Sequence, residues 1–259
     1  MNEHHFWIST APRTGSMWTF NCAREILRAK GLKVLPDKIP KSDQDMVEIF
    51  NAAMARPPVL NTAYVYKVHN VMLSDGFPDS RIITTIRDPR ETVISFMRFM
   101  RIADFEYSLK TSKLLLLITK QYRDFKITPV ITLRYEDINL RPLKVIGQIS
   151  NFMGANLDAT AIGEIASKLD RASIKTKINE VEQKLEKRIA LDQPVDPSEQ
   201  VVIAEGNVRA FDVSTGFQSG HVSDMTQGDY QRFLTPEQVK KVNDVFGEWM
   251  DEHGYSREF

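Results

Sequence analysis

Apolar residues fall along this chain in two kinds of run: short unbroken ones, and longer ones at helical spacing. Residues 6–10, Phe-Trp-Ile-Ser-Thr, form a short apolar run and predict a buried strand. Ala11-Pro12-Arg13-Thr14-Gly15-Ser16 is punctuated by proline and glycine and predicts a tight turn. Helical pattern follows from residue 17 to about residue 30 and stops before Gly31. The chain thus opens on strand, tight loop and helix. Residues 35–60 are polar and proline-punctuated, with a helical stretch over 45–54. Residues 64–68 alternate like a strand, and 81–86 are rich in β-branched residues and predict another. Pro89 occupies a first helical position, with a helix running to about residue 101. A further helix is predicted over 106–125, a strand over 129–133, and a helix over 143–153 closed by Gly154.

Past residue 158 the strand signals fade. Helices are predicted over 158–169 and 178–190. Residues 192–220 carry Pro194, Pro197, Gly206, Gly216 and Gly220 and read as a long loop. Thr235-Pro236-Glu237-Gln238 is a capping box with proline at the first helical position, and its helix runs to about residue 253 before Gly254. Short strands alternating with helices imply one α/β domain over residues 1–259, with a central, mostly parallel sheet flanked by helices. No internal repeat or low-complexity segment stands out.

Composition narrows the function classes. The 259 residues suffice for one large α/β domain or two small ones. Hydrophobic residues make up 42% and charged residues 26%, as in ordinary globular proteins. The 34 basic residues balance the 34 acidic ones. That argues against a nucleic-acid binder and leaves room for a local basic pocket. Cys22 is the single cysteine, so no internal disulfide can form, and a reduced compartment fits. Lying in an apolar helix start, Cys22 reads as a small core residue. The N-terminus lacks a basic region and a long apolar run, and the longest aliphatic run, 114–118, is too short to span a bilayer. A cytoplasmic protein without a membrane span is expected. His4-His5 reads as a frayed terminus rather than a metal site. The carboxylates form no recognisable metal cluster.

The opening strand, loop and helix carry candidate chemistry. A strand turning sharply into a helix aims the helix's first free N–H groups at one spot, where the helix dipole adds positive charge. Gly15 lets the backbone approach a phosphate, Thr14 and Ser16 offer hydroxyls, and Arg13 offers a planar bidentate cation. These residues describe a phosphate cradle. No glycine in the chain is followed by lysine, so the Walker signature is absent and a standard P-loop ATPase or kinase is disfavoured.

Pro12-Arg13-Thr14-Gly15-Ser16-Met17-Trp18 resembles the 5′-phosphosulfate loop of the sulfotransferases that use 3′-phosphoadenylyl sulfate (PAPS). In that family the basic residue contacts the 5′-phosphate and leaving oxygen, and the tryptophan stacks on adenine. The resemblance places those roles on Arg13 and Trp18. Met17 departs from the usual second hydroxyl, where a backbone N–H can serve. Residues 81–99, RIITTIRDPRETVISFMRF, resemble the family's 3′-phosphate motif, which places phosphate contacts on Arg87 and Ser95. Arg87 closes a strand at the end where open α/β sheets bind ligands, and Ser95 lies about two helical turns further on. Lys67-Val68-His69 resembles the family's Lys-x-His motif, in which histidine is the general base and lysine assists the leaving group. Residues two apart on a strand face one side, and histidine suits proton abstraction from a hydroxyl.

Fainter similarities follow in order. Leu133-Arg134-Tyr135-Glu136-Asp137 resembles the family's Tyr-Glu-Asp strand end, whose tyrosine reaches the adenine region. Ala172-Ser173-Ile174 resembles a nucleotide-contacting segment. Gly228-Asp229-Tyr230-Gln231-Arg232-Phe233 resembles the family's Gly-Asp-Trp segment. Where the family often carries an Arg-Lys-Gly clamp on the 3′-phosphate, this chain has Ser223, Asp224 and Met225, and His221, Arg209 and Ser223 are candidates to replace it.

The resemblance implies a P-loop-NTPase-like sulfotransferase fold. It also implies transfer of a sulfuryl group from PAPS to a hydroxyl or amine of a small-molecule, lipid or glycan acceptor, leaving PAP. His69, Lys67 and Arg13 would be catalytic. Arg13, Thr14, Gly15, Ser16, Met17, Trp18, Arg87, Ser95, Tyr135 and Ser173 would hold the nucleotide, with no metal. Residues 175–220 read as an extended loop or helix insertion near the acceptor site. With 43–60 and 97–115 they are expected to line it, Phe96, Met97, Phe99, Met100 and Phe105 giving an apolar wall or a core stripe. A nucleotide-dependent kinase and a non-catalytic PAP-binding protein are the rival readings. A homodimer is compatible with the sequence.

Overall fold

Five parallel strands stand in the order β2-β3-β1-β4-β5: β1 (His4–Ser9), β2 (Lys33–Leu35), β3 (Thr62–Val68), β4 (Ser80–Ile86) and β5 (Val130–Arg134). The computed structural model describes residues 3–69, 75, 80–204, 207–222 and 225–258. β1 is central, and its Phe6, Trp7 and Ile8 are at most 2% exposed. A parallel sheet covered on both faces buries successive residues, so Phe6, Trp7 and Ile8 run together in β1 rather than alternating with polar residues. β1 pairs with β3 on one side and β4 on the other. The chain changes direction across the sheet there, which opens a crevice beyond the carboxyl ends of β1, β3 and β4.

The helices are α1 (Ser16–Ala29), α2 (Asp43–Met54), α3 (Pro89–Met100), α4 (Phe105–Ser112), α5 (Leu114–Arg123), α6 (Tyr135–Leu140), α7 (Pro142–Phe152), α8 (Ala159–Lys168), α9 (Arg171–Ala190) and α10 (Pro236–Glu252). Predicted boundaries hold best where caps are strong. Thr235 and Gln238 form the reciprocal capping box at the start of α10. Pro89 opens α3, with the Asp88 carboxylate accepting from Arg90 N–H. Cys22 lies wholly buried in α1, as a core residue.

Several expectations fail for local reasons. His5 is not frayed. It is buried in β1, with Nε2 3.3 Å from Glu3 Oε1 and Nδ1 3.0 Å from the Tyr66 hydroxyl. The helix predicted over 106–125 is two helices meeting at Lys113. The buried positions Phe105, Leu109 and Ser112 are followed by Leu115, Ile118 and Tyr122, one residue out of the 3.6 repeat, so an unbroken helix would turn one set outward. α9 begins at Arg171, well before residue 178. Asp170 accepts from the N–H groups of Ala172 and Ser173, and the buried residues of this helix are only Ile174 and Ile178, too sparse a pattern to read. The long loop over 192–220 contains an antiparallel hairpin, β6 (Gln200–Ala204) and β7 (Asn207–Ala210). The apolar residues of β6, Gln-Val-Val-Ile-Ala, run together without alternation, and the prolines and glycines around the hairpin read as loop. β2, with three residues, and α6, with six, are too short to carry a periodic signal. Ser223, Asp224 and Gly206 lie outside the described residues.

Candidate active site

The corner between β1 and α1 is built around Gly15. Its φ of 103° lies in the left-handed region, and a Cβ there would stand 3.0 Å from Tyr135 Cδ2 and 3.3 Å from Ile138 Cδ1. The first turn of α1 therefore begins against the face of α6. Thr14 turns its hydroxyl inward, 2.8 Å from the Ala11 carbonyl and 2.7 Å from Thr85 Oγ1. That hydroxyl ties the loop to β4 rather than facing the crevice. What the loop can offer an anion is therefore backbone N–H groups and the helix dipole. Ser16 opens α1. Met17 runs toward Gly216, whose Cβ would meet Met17 Cε at 2.7 Å.

Three guanidinium groups converge beside this corner. Arg13 Nε donates to Ser95 Oγ at 3.1 Å, and Arg13 Nη2 to the His221 carbonyl at 3.4 Å. Arg87 Nη1 donates to the Arg13 carbonyl at 3.2 Å, and its Cζ lies 4.2 Å from the Tyr135 ring centre. Arg13 and Arg209 both sit over the Phe99 ring, at 4.3 and 4.2 Å. Burial and the charge of Arg87 lower Arg13 to about 9, so it stays a cation at neutral pH. Glu91 is the carboxylate in contact with Arg87, at 3.5 Å. Buried like charges repel one another in a low-dielectric site, and a bound polyanion removes that cost.

Lys67 and His69 complete the crevice at the end of β3. The register pairing Ser9 with Val68 places Thr10 beside His69. His69 Nδ1 lies 3.1 Å from the Thr10 carbonyl. A carbonyl can only accept, so the proton is assigned to Nδ1 and the lone pair to Nε2. Lys67 Nζ stands 3.2 Å from that Nε2. Burial and the Lys67 charge push His69 down to about 3, so its ring is neutral in ordinary buffer. Burial also lowers Lys67, partly offset by Asp43. Asp43 Oδ2 accepts the His69 N–H at 2.6 Å and fixes the strand end.

The remaining predicted residues divide. Tyr135 lies inside the cluster, between Gly15 and Arg87. Trp18 donates from Nε1 to the Leu169 carbonyl at 3.1 Å and packs beside Ile174, Ile178 and Phe217. Ser173 is exposed, and its hydroxyl is directed to Asp170. Phe96 and Phe105 are core residues, each 8% exposed, while Phe99 is the aromatic beneath the arginines. Met225, at the position of the expected clamp, is packed into the core.

Glu91 was missed in the sequence, and Asp43 entered only as the first residue of the stretch expected to line the acceptor site, with no role toward His69. Glu91 accepts from the N–H groups of Gly228 at 2.8 Å and Tyr230 at 3.3 Å, joining that segment to Arg87. Its four-residue spacing from Arg87 was the available signal.

Comparison with known proteins bears on the fold and the family. Retinol dehydratase in complex with androsterone and inactive cofactor PAP matches at a TM-score of 0.62 and 13% identity, over 95% of this chain and 80% of that one. Mouse sulfotransferase SULT7A1 complexed with PAP matches at 0.60 and 14%, over 96% and 84%. Retinol dehydratase with retinol and PAP matches at 0.55 and 14%, over 95% and 81%. These likenesses speak to the fold. No curated protein sequence matches the chain. The sulfotransferase domain profile, however, matches residues 3–254. The sheet order, the loop at Gly15 and a match across nearly the whole chain lead to one conclusion: this protein belongs to the sulfotransferase domain family.

Proposed function

We propose that this protein transfers a sulfuryl group from PAPS to a hydroxyl or amine of a small-molecule, lipid or glycan acceptor, releasing PAP. The observation that carries the reading is the meeting of Arg13, Arg87 and Ser95 at one crevice, with the Nε2 of His69 accepting from Lys67. In the reaction the sulfur–oxygen bond to the 5′-phosphate breaks and a bond from sulfur to the acceptor atom forms. The acceptor's proton passes to His69 Nε2. Lys67 must first release that lone pair, and its charge then stabilises the leaving phosphate oxygen together with Arg13. Arg87, Ser95 and the α1 start would hold the nucleotide's phosphates, with Tyr135 and Trp18 flanking it.

Androsterone and retinol, named in the neighbouring complexes, are apolar alcohols and belong in a first acceptor screen. Calorimetric titration with PAP against ATP is the first test. Binding of PAP without ATP, followed by transfer from labelled PAPS, is expected. Binding of ATP with Mg²⁺ and no response to PAP would replace this reading with a phosphotransferase.

A further inference from the structure

Two histidines approach the same cluster of cations, and their protons sit on opposite nitrogens. His69 Nδ1 faces the Thr10 carbonyl and so carries the proton. His221 Nδ1 lies 3.1 Å from the backbone N–H of Gln218, which can only donate. That Nδ1 is therefore an acceptor, and in the neutral ring the proton sits on Nε2. We propose that His221 is a neutral hydrogen-bond donor, through Nε2–H, to the anionic oxygens of the bound nucleotide, complementary to the acceptor nitrogen of His69. This rests on the reading of the site as a PAPS site.

The turn that carries His221 is firmly held. Ser219 N–H donates to the Ala210 carbonyl at 3.2 Å, and His221 N–H to the Gln218 carbonyl at 3.0 Å. Gly220, at φ 80°, lets Arg209 close in, since a Cβ there would lie 3.0 Å from Arg209 Nη1. The His221 ring is stacked on Phe99, with centroids 5.5 Å apart and planes 13° apart, and Phe217 meets it edge-on at 6.2 Å. Phe99 is the ring over which Arg13 and Arg209 lie, and Arg13 also binds the His221 carbonyl. Burial, followed by the charges of Arg13, Lys67 and Arg209, keeps the imidazole uncharged. A neutral ring gives the site one more donor without adding to its positive charge. Oriented neutral donors of this kind bind oxyanions well where water is excluded.

The test uses the full chain and two substitutions. His221→Phe keeps the stacking on Phe99 and removes the donor. His221→Gln supplies an amide N–H at about the reach of Nε2. Each is titrated calorimetrically with PAP, 5′-AMP and PAPS, beside the unmutated protein. The Phe variant is expected to bind PAPS about tenfold more weakly, and the Gln variant to recover most of that loss. A loss for PAPS and PAP but not 5′-AMP assigns the contact to the 3′-phosphate. A loss for all three assigns it to the 5′-phosphate, and a loss for PAPS alone to the sulfuryl group. Unchanged binding of all three by the Phe variant, or equal losses in both variants, overturns the proposal. If His221→Phe does not fold, His221→Asn, whose amide reaches only the Nδ1 position, replaces it in the same comparison. Failure of the unmutated protein to bind PAP would overturn the nucleotide reading of the site itself.

Discussion

Arg13 donates to the Ser95 hydroxyl at 3.1 Å across 82 residues of sequence. One of these residues stands at the corner between β1 and α1, the other two turns into α3. Their contact brings together the two elements proposed to hold the nucleotide's phosphates, and the Arg87 bond to the Arg13 carbonyl makes the join double. A single nucleotide can therefore meet both elements at once.

Arg87→Ala is expected to weaken PAP binding by about 1–3 kcal/mol, the range for a charge-assisted hydrogen bond. Isothermal calorimetry reads this directly. Unchanged affinity would remove Arg87 from the nucleotide site.

His69→Ala is expected to abolish sulfuryl transfer while PAP affinity stays near that of the unmutated protein. In the proposed mechanism the ring serves as the base and holds no phosphate. Retention of full turnover would show that the proton leaves by another route.

The same histidine gives stability a pH dependence. Its folded pKa, about 3, lies below the ordinary value near 6.5. As pH falls through 6.5 the unfolded chain takes up a proton that the folded chain refuses, so stability declines from there toward pH 3. His69→Gln should flatten this decline by up to ~1.4 kcal/mol per pH unit within that window. Urea unfolding at pH 7 and pH 5 measures the difference.

Glu91→Ala should cost about 3 kcal/mol or more of stability, because it leaves buried Arg87 without its carboxylate and two backbone N–H groups without an acceptor. Denaturant unfolding checks the size. Loss of less than 1 kcal/mol would mean that water replaces the carboxylate.

Cys22 should resist thiol reagents in the folded protein, since burial raises its pKa and closes access to the sulfur. One thiol per chain should react on unfolding. Rapid labelling of the native protein would contradict its place in the core.

The elements that were legible are those whose signals are local. Pro89 and the Thr235–Gln238 box mark helix starts because capping involves residues within one turn of each other. Gly15 could be read as a turn residue for the same reason. The hairpin of β6 and β7 could not, since each strand's partner is the other and β6 shows no apolar–polar alternation. The break at Lys113 was hidden because it depends on which core each helix face meets.

By itself the sequence determined the opening strand, loop and helix, the order of the motifs that resemble the family's, and the nearness of Lys67 and His69 at the end of β3. These follow from backbone geometry over a few residues. Only the tertiary structure decided that the Thr14 hydroxyl turns inward to Thr85, that Arg209 and His221 arrive at Phe99, and that Ser173 faces Asp170. Those outcomes depend on which distant surfaces meet, and side-chain direction at such contacts is set by packing and burial across the whole chain rather than by neighbours in sequence.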